Sequence, residues 1–477
     1  MNKYDLIAPC HFGLESVLKR EISDLGYEIL SVEDGRVIFA GDEDAVARAN
    51  IFLRTAERIL IRVGEFKAFT YDELFEGTKS LPWEEFLPRD GRFWVKKAST
   101  VKSKLFSPSD IQSIMKKAAV EKLKLKYGTE VFLEDGDDYP IRVFLYKDLV
   151  TVGLDTTGDS LHKRGYRKKQ GVAPIAENLA AALIMLTPWK GDRILLDPFC
   201  GSGTIPIEAA MIAAGIAPGM ERSFTAEDWR NIIDRKSWYR ASDEAASLVK
   251  KDIETDIQGY DIDADIIKVA CENAERAGVR DLIHFQARPV KELNHPKQYG
   301  FLITNPPYGE RMDAEELPGI YRELGEAMGR LENWSSYVIT GYGDTERYIG
   351  RKADKNRKIY NGMLKTYLYQ YLGPKPGKRR ETGQDREYTK AGADGNEESV
   401  QAKSRPKDSG PAPGFGRRRE TGQDREYTKA GLKGGGKSRG SSFASDRGKR
   451  THGGFDNGNG NGSRSGRQFK SRRGGGE

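Results

Sequence analysis

Two short segments carry residue types, at a spacing, that suit group transfer to a nucleobase. The first, Asp197-Pro-Phe-Cys-Gly-Ser-Gly-Thr204, follows the apolar run Ile194-Leu-Leu and sets Gly201 and Gly203 where the chain turns from strand to helix. Missing side chains there let a ligand approach the backbone closely. This is the composition of a turn that wraps an adenosyl cofactor. Asp197 is expected to accept from the methionine amino group, Phe199 lies within the turn, and Thr204 opens the following helix. Ile257-Gln-Gly-Tyr-Asp261 is the expected second strand, and its terminal carboxylate is placed to accept from two ribose hydroxyls. A dinucleotide fingerprint fails on detail, because Pro206 stands where the third glycine is needed. The cofactor these residues point to is S-adenosylmethionine.

The second segment, Asn305-Pro-Pro-Tyr-Gly-Glu-Arg311, follows about a hundred residues later, the separation a doubly wound domain needs to bring two strand ends together. A base amine is a poor nucleophile because its lone pair is delocalised into the ring. Hydrogen bonds to its N–H groups pull the nitrogen out of conjugation. The Asn305 side-chain oxygen and the Pro306 carbonyl are the expected acceptors, Pro306 and Pro307 stiffen the loop, and Tyr308 stacks on the flipped base. Direct transfer from sulfonium to nitrogen then depends on positioning. No metal is expected, since the five histidines are scattered. Attack by a Cys200 thiolate on a pyrimidine ring is the rival chemistry, but Cys200 lies inside the cofactor turn rather than beside a base.

The elements that must position these residues are legible as alternating patterns. Tyr4–Cys10 is an expected strand, Gly13–Gly26 a helix with Leu14, Val17, Leu18, Ile22 and Leu25 at helical spacing, and Tyr27–Ala40 a hairpin turning at Asp34-Gly35. Helical spacing resumes over Asp42–Arg58. A second α+β unit follows: strands at Ile59–Phe66, Arg92–Ala98, Ile141–Tyr146 and Leu149–Leu154, with helices at Tyr71–Leu81 and Ser109–Tyr127. From about residue 158, helix and strand alternate: Ala173–Leu186, Arg193–Leu196, Thr204–Ala214, Ile257–Asp261, Asp263–Ala277, Leu282–Phe285, Tyr299–Thr304 and Tyr337–Thr340. Residues 215–255 interrupt that order as an insertion expected to be helical. Asn361-Gly362 between Lys358–Tyr360 and Leu364–Leu372 signals a closing antiparallel pair. The fold class is therefore α/β, with a Rossmann-like domain behind an α+β front.

Charge divides the chain. Net charge is +7 overall, but residues 375–477 carry +12 and residues 1–374 carry −5. The tail is rich in Gly, Ser, Arg and Lys, and its unit Arg379–Gly392 recurs unchanged at Arg418–Gly431. Too few apolar residues are present to offset chain entropy, so this tail is expected to be disordered and to bind a polyanion. No apolar run approaches a membrane span and no signal-like stretch leads the chain, so a cytoplasmic protein, with no membrane partner and monomeric, is expected. Cys10, Cys200 and Cys271 are too far apart in sequence to suggest a disulfide framework or zinc site.

These motifs, with Leu161-His-Lys-Arg-Gly-Tyr-Arg167 upstream, resemble the THUMP-domain class I RNA methyltransferases, specifically bacterial proteins similar to the N-terminal half of the large-subunit rRNA guanine-N(2) methyltransferase. The resemblance covers residues 1–373. It implies a ferredoxin-like domain at 1–58, a THUMP domain at 59–157 that grips structured RNA, a Rossmann-like methyltransferase domain at 158–374, and N(2)-methylguanosine as product, in rRNA sooner than tRNA. Lys163, Arg164, Tyr166 and Arg167 are then candidate RNA contacts. The family's aspartate for the cofactor adenine has no counterpart in Gln286-Ala-Arg-Pro289, which leaves backbone groups or Gln286 to hold that ring. Three alternatives stay open: an N(6)-adenine DNA methylase, which uses a similar Asn-Pro-Pro-Tyr loop, a tRNA guanine-N(2) methyltransferase, and a non-catalytic RNA assembly factor.

Overall fold

In a computed structural model of the protein, the described residues are 3–168, 174–309, 315–362 and 364–375. Ala173, Glu310 and Arg311, and both copies of the tail repeat, lie outside them. The front of the chain runs β1 (Tyr4–Pro9), α1 (Glu15–Asp24), β2 (Ile29–Glu33), β3 (Arg36–Gly41), α2 (Glu43–Phe52), β4 (Leu60–Lys67), α3 (Tyr71–Ser80), β5 (Arg92–Val101), α4 (Pro108–Tyr127), β6 (Asp138–Tyr146) and β7 (Leu149–Asp155). Local chemistry accounts for most of the boundaries. Asp42, Thr70 and Ser107 cap α2, α3 and α4 by accepting backbone N–H bonds, and Gly128 ends α4 in the left-handed region. Helix α2 stops six residues short of Arg58, because the buried Glu21 carboxylate takes the N–H groups of Arg54 and Thr55 at 2.8 and 3.1 Å and draws the chain out of the helix.

The two front units share one sheet of order β2-β3-β1-β4-β7-β6-β5, joined where β1 pairs with β4 through Leu6 opposite Ile61. The second half runs α5 (Glu177–Met185), β8 (Leu195–Asp197), α6 (Thr204–Ala213), α7 (Arg235–Ser247), β9 (Ile257–Asp261), α8 (Ala264–Arg276), β10 (Ile283–Ala287), β11 (Phe301–Thr304), α9 (Leu317–Arg330), β12 (Ser335–Thr340), α10 (Thr345–Ile349), β13 (Lys355–Asn361) and β14 (Leu364–Tyr371). Its sheet has order β10-β9-β8-β11-β12-β14-β13, parallel from β10 to β12, with β14 and β13 closing it antiparallel. This is a Rossmann-like, doubly wound arrangement. One apolar core runs from Leu6 and Phe39 in the first sheet through Leu179 and Leu183 of α5 to Leu195 and Ile207. A second core, with Leu196, Leu302, Tyr321 and Leu324, fills the opposite face of the second sheet.

Polar groups seal the joint between the two front units. Asp155, fully buried, is held by Arg58 at 2.9 Å and Arg142 at 2.7 Å. The insertion at 215–255 is only partly helical, in α7, and much of it works as a strap. Its Trp229 stacks on Tyr139 of β6 at 4.8 Å and donates to the Asp138 carbonyl at 2.7 Å, while α7 reaches α2 through Arg48 and Glu244 at 2.7 Å. Trp229 is fully buried. Trp229→Ala is therefore expected to cost about 3–5 kcal/mol, the usual range for emptying a buried aromatic site, and chemical denaturation followed by fluorescence checks it.

Candidate active site

The parallel registers bring the expected residues together. Leu195 lies opposite both Ile257 and Phe301, so β8 sits between β9 and β11 at the point where strand order reverses. In open α/β sheets a crevice forms there, at the carboxyl ends. A cavity of about 360 Å³ occupies that position, and Asp197, Phe199, Gly201, Thr204, Asp261, Asn305 and Pro307 all line it.

Asp197, 1% exposed, receives the Thr304 hydroxyl at 2.6 Å and the Phe199 N–H at 3.1 Å on one oxygen. Burial pushes its carboxyl up to about 7, against the pull of those two donors. Asp261 accepts from the N–H of Gly201 at 3.0 Å and of Asp263 at 3.1 Å, and burial raises it too. Thr304 thereby ties the loop that begins at Asn305 to the carboxylate at the end of β8. Nothing in the sequence singled Thr304 out, since its role depends on strand register.

The two glycines divide their work. Gly201 adopts φ +52° with open space where a Cβ would stand, as expected for a ligand-facing turn. Gly203 does not face the cavity. A Cβ there would meet Phe285 and Ala270 at 3.0 and 3.1 Å, so its missing side chain serves helix–strand packing. Cys200 has a buried thiol held well above its ordinary range, chiefly by burial, which removes the thiolate that the rival chemistry needs.

In the second segment, the Asn305 side-chain oxygen is enclosed and has no hydrogen-bond partner among the described residues, and Ser202 Oγ shares that condition. Native proteins leave few such atoms. Tyr321, fully buried on α9, donates to the Pro307 carbonyl at 3.2 Å and meets the Thr340 hydroxyl at 2.5 Å, fixing the loop from behind. Pro306 and Tyr308 are not among the lining residues. Tyr308 is buried, packs into the space left by Gly341 and accepts from the Asn361 side chain at 3.2 Å. Gln286 is exposed and off the cavity, whereas Ile262, Pro289 and Val290 furnish an apolar end that sequence reasoning missed.

The upstream segment corrects the sequence reading. Arg164 and Tyr166 are buried at 3% and 4% exposure, and both bond to the fully buried Glu208 of α6, at 3.4 and 3.1 Å. Arg164 also donates to the carbonyls of Leu161 and Arg54, at 2.5 and 2.6 Å. They are interior fastenings, out of reach of RNA. Arg167 pairs with Glu177 at 3.0 Å and is nearly covered, so Lys163, 59% exposed beside Asp159, is the one open cation of the three. Lys163 and Arg167 border a cleft that also presents Asp137, Asp138, Glu221 and Glu227, a mixed surface instead of a basic one. Among the described residues no group of three or more His, Cys, Asp or Glu is placed to hold a metal, and no helix is long and apolar enough to cross a membrane.

Comparison with known proteins shows the family. Residues 5–60 match the RlmL ferredoxin-like domain, 68–155 the THUMP domain, and 164–370 the family described as RMKL-like, methyltransferase domain. A Bacillus subtilis (strain 168) protein named as an RNA methyltransferase, YpsC, is 47% identical over 385 residues, covering 80% of this chain and 99% of its own. The solved structure of SMU.472, a methyltransferase complexed with SAH, is 43% identical with a TM-score of 0.75, covering 79% of this chain and 100% of that one. A Listeria monocytogenes str. 4b F2365 structure, described as a predicted N6-adenine-specific DNA methylase, is 47% identical with a TM-score of 0.74, covering 78% and 97%. The chain belongs to the family of THUMP-domain-containing class I SAM-dependent RNA methyltransferases, with an RlmL-type ferredoxin-like domain in front and an RMKL-like methyltransferase domain behind.

Proposed function

We propose that this SAM-dependent RNA methyltransferase acts on the exocyclic N2 amine of guanine in 23S rRNA, and that 1–58, 59–157, 158–374 and 375–477 are its working divisions. The carrying observation is the enclosed, unpartnered oxygen of Asn305, in the wall of the cavity that Asp197 and Asp261 also line. The wall fits the methyl donor in kind: a buried carboxylate for an ammonium, a second carboxylate for a ribose diol, and Ile262, Pro289 and Val290 for a flat apolar ring. S-adenosylmethionine supplies, when bound, a sulfonium methyl. Asp197 orients its amino end, and Asp261 its ribose. Asn305 Oδ1 and the Pro306 carbonyl accept from the base amine, which localises the nitrogen lone pair toward the methyl. Tyr308, buried and outside the cavity wall, braces the loop instead of meeting the base, and buried Cys200 takes no part.

RNA as substrate is supported by the tip of the first sheet. Lys104 lies over Phe69 at 4.8 Å, Lys147 over Tyr146 at 4.9 Å, and Phe106 beside them is 77% exposed. Cations with exposed rings suit unpaired bases and phosphates together. Lys163 adds an exposed cation on the neighbouring cleft. Labelled adenosylmethionine with separate rRNA, tRNA and DNA pools, followed by mass identification of the methylated nucleosides, tests the proposal. N(2)-methylguanosine in 23S rRNA is expected, and N(6)-methyladenosine or label in DNA overturns it.

The tail gives a separate expectation. Removing residues 375–477 deletes a net +12, so RNA affinity should fall and its salt dependence flatten, while the cofactor affinity of the remaining domains is unchanged. Filter binding across salt concentrations measures this, and unchanged slopes would remove the tail from RNA binding.

A further inference from the structure

The last hairpin carries chemistry that the reaction does not use. In the antiparallel pair β13–β14, Lys358 lies directly opposite Tyr367 and Tyr360 opposite Lys365, while Ile359 faces Thr366. Directly opposed residues share a face. Ile359 and Thr366 are fully buried on one side, so the other four alternate cation and aromatic on the opposite side, where Tyr367 packs in part against the second core and the lysines are open at the hairpin end. Both lysines are exposed and both tyrosines half-buried. Lys358 sits over the Tyr360 ring at 4.9 Å, and Lys365 over Tyr367 at 5.2 Å.

Two further observations give this face a direction. Phe12, 40% exposed, extends it from the front of the chain, meeting Tyr360 edge-on at 5.6 Å. At the hairpin turn, Asn361 donates to the Tyr308 hydroxyl at 3.2 Å, so the face begins where the catalytic loop ends. Lysines on an edge strand discourage strand pairing, but that purpose does not call for half-open rings between them. Residues 1–374 are net acidic, so a polyanion must be met by local patches of this kind.

We propose that this lysine- and tyrosine-bearing face of the β13–β14 hairpin, with Phe12, is an RNA-contact surface for the single-stranded nucleotides flanking the target base. The lysines meet phosphates and the rings stack on bases. The proposal rests on the reading of the cavity as an RNA methyltransferase site.

The test uses the full chain and an in vitro transcript of 23S rRNA in filter binding across salt concentrations. For the double variant Lys358→Gln/Lys365→Gln, the slope of log affinity against log salt should shrink by about two, one for each phosphate no longer neutralised. For Tyr360→Ala, the dissociation constant should rise about tenfold. Melting temperature and S-adenosylhomocysteine affinity equal to the wild type establish that the variants are folded. Ultraviolet cross-linking of wild-type protein to the transcript, read by peptide mass, should place adducts on Phe12, Tyr360 or Tyr367 and does not depend on any variant. Slopes and affinities unchanged in folded variants, or cross-links confined elsewhere, overturn the proposal. The same losses with single-stranded DNA but not with RNA would also overturn it. If the variants behave as expected while the wild type methylates no RNA, the functional reading fails and this surface stands. If the wild type methylates RNA and the variants bind normally, this surface alone falls.

Discussion

Asn305→Ala is expected to lower kcat by about 10²–10³-fold, the usual loss when one preorganised polar group at a reacting centre is removed. S-adenosylhomocysteine should still bind as in the wild type. The separation follows from the site: Asn305 Oδ1 bonds no described neighbour, and the carboxylates suited to the cofactor stand on β8 and β9. Because the oxygen is enclosed and unpaired, alanine should also leave the melting temperature unchanged or raised, since it removes a desolvated acceptor. Asn305→Asp, which keeps an acceptor in place, should retain more activity than alanine. Single-turnover kinetics, calorimetry and thermal melting together check the pattern. A lowered melting temperature with weakened cofactor binding would mark Asn305 as a structural residue.

The second large effect concerns Asp197. Burial holds its carboxyl at about 7, so in the free protein it is largely protonated below that pH, whereas the ammonium it is proposed to bind needs the ionised form. Cofactor affinity should therefore fall as pH drops from 8 to 6. Asp197→Asn should flatten that dependence and at pH 8 weaken binding by about 10- to 100-fold, from about 1.5–3 kcal/mol for a hydrogen bond to a charged group. The cofactor-free protein should respond in the opposite sense. An acid whose folded value lies above its ordinary 3.8 costs the folded state stability as pH rises from 3.8 toward 7, and the cost is complete above that. Asp197→Asn should then melt higher than wild type at pH 8, with the difference vanishing near pH 4. A variant that binds the cofactor normally at pH 8 would remove Asp197 from the site.

Much of this was legible in the chain. Strand ends at Asp197 and Asp261 and the Asp34-Gly35 and Asn361-Gly362 hairpins all follow from local chemistry, which a sequence carries in full. What escaped depends on distant partners. Periodicity continues past Phe52 and cannot register that Glu21, far earlier in the chain, takes the next N–H groups. The family resemblance makes Arg164 and Tyr166 candidate RNA contacts, and only the tertiary fold sets Glu208 against them. Thr304 is one threonine among many until β11 is laid beside β8. The apolar end at Ile262, Pro289 and Val290 is likewise assembled from two loops, and neither announces it alone.

Arg164, which holds the Arg54 carbonyl as well as Glu208, together with Arg54 on the Ile216 carbonyl and Arg48 on Glu244, ties the two sheets into a single stiff body. If the tip of the first sheet grips RNA as proposed, a body of that kind would measure its substrate as a calliper does. Tip and pocket then sit at a set spacing, and an RNA is expected to qualify only when its own folding holds one unpaired base at that distance from the gripped element. Selection by span can work without reading a sequence. It also gives a reason for the interior cations to be arginines, whose planar, always-charged heads can each hold several acceptors at once and keep the jaws from drifting.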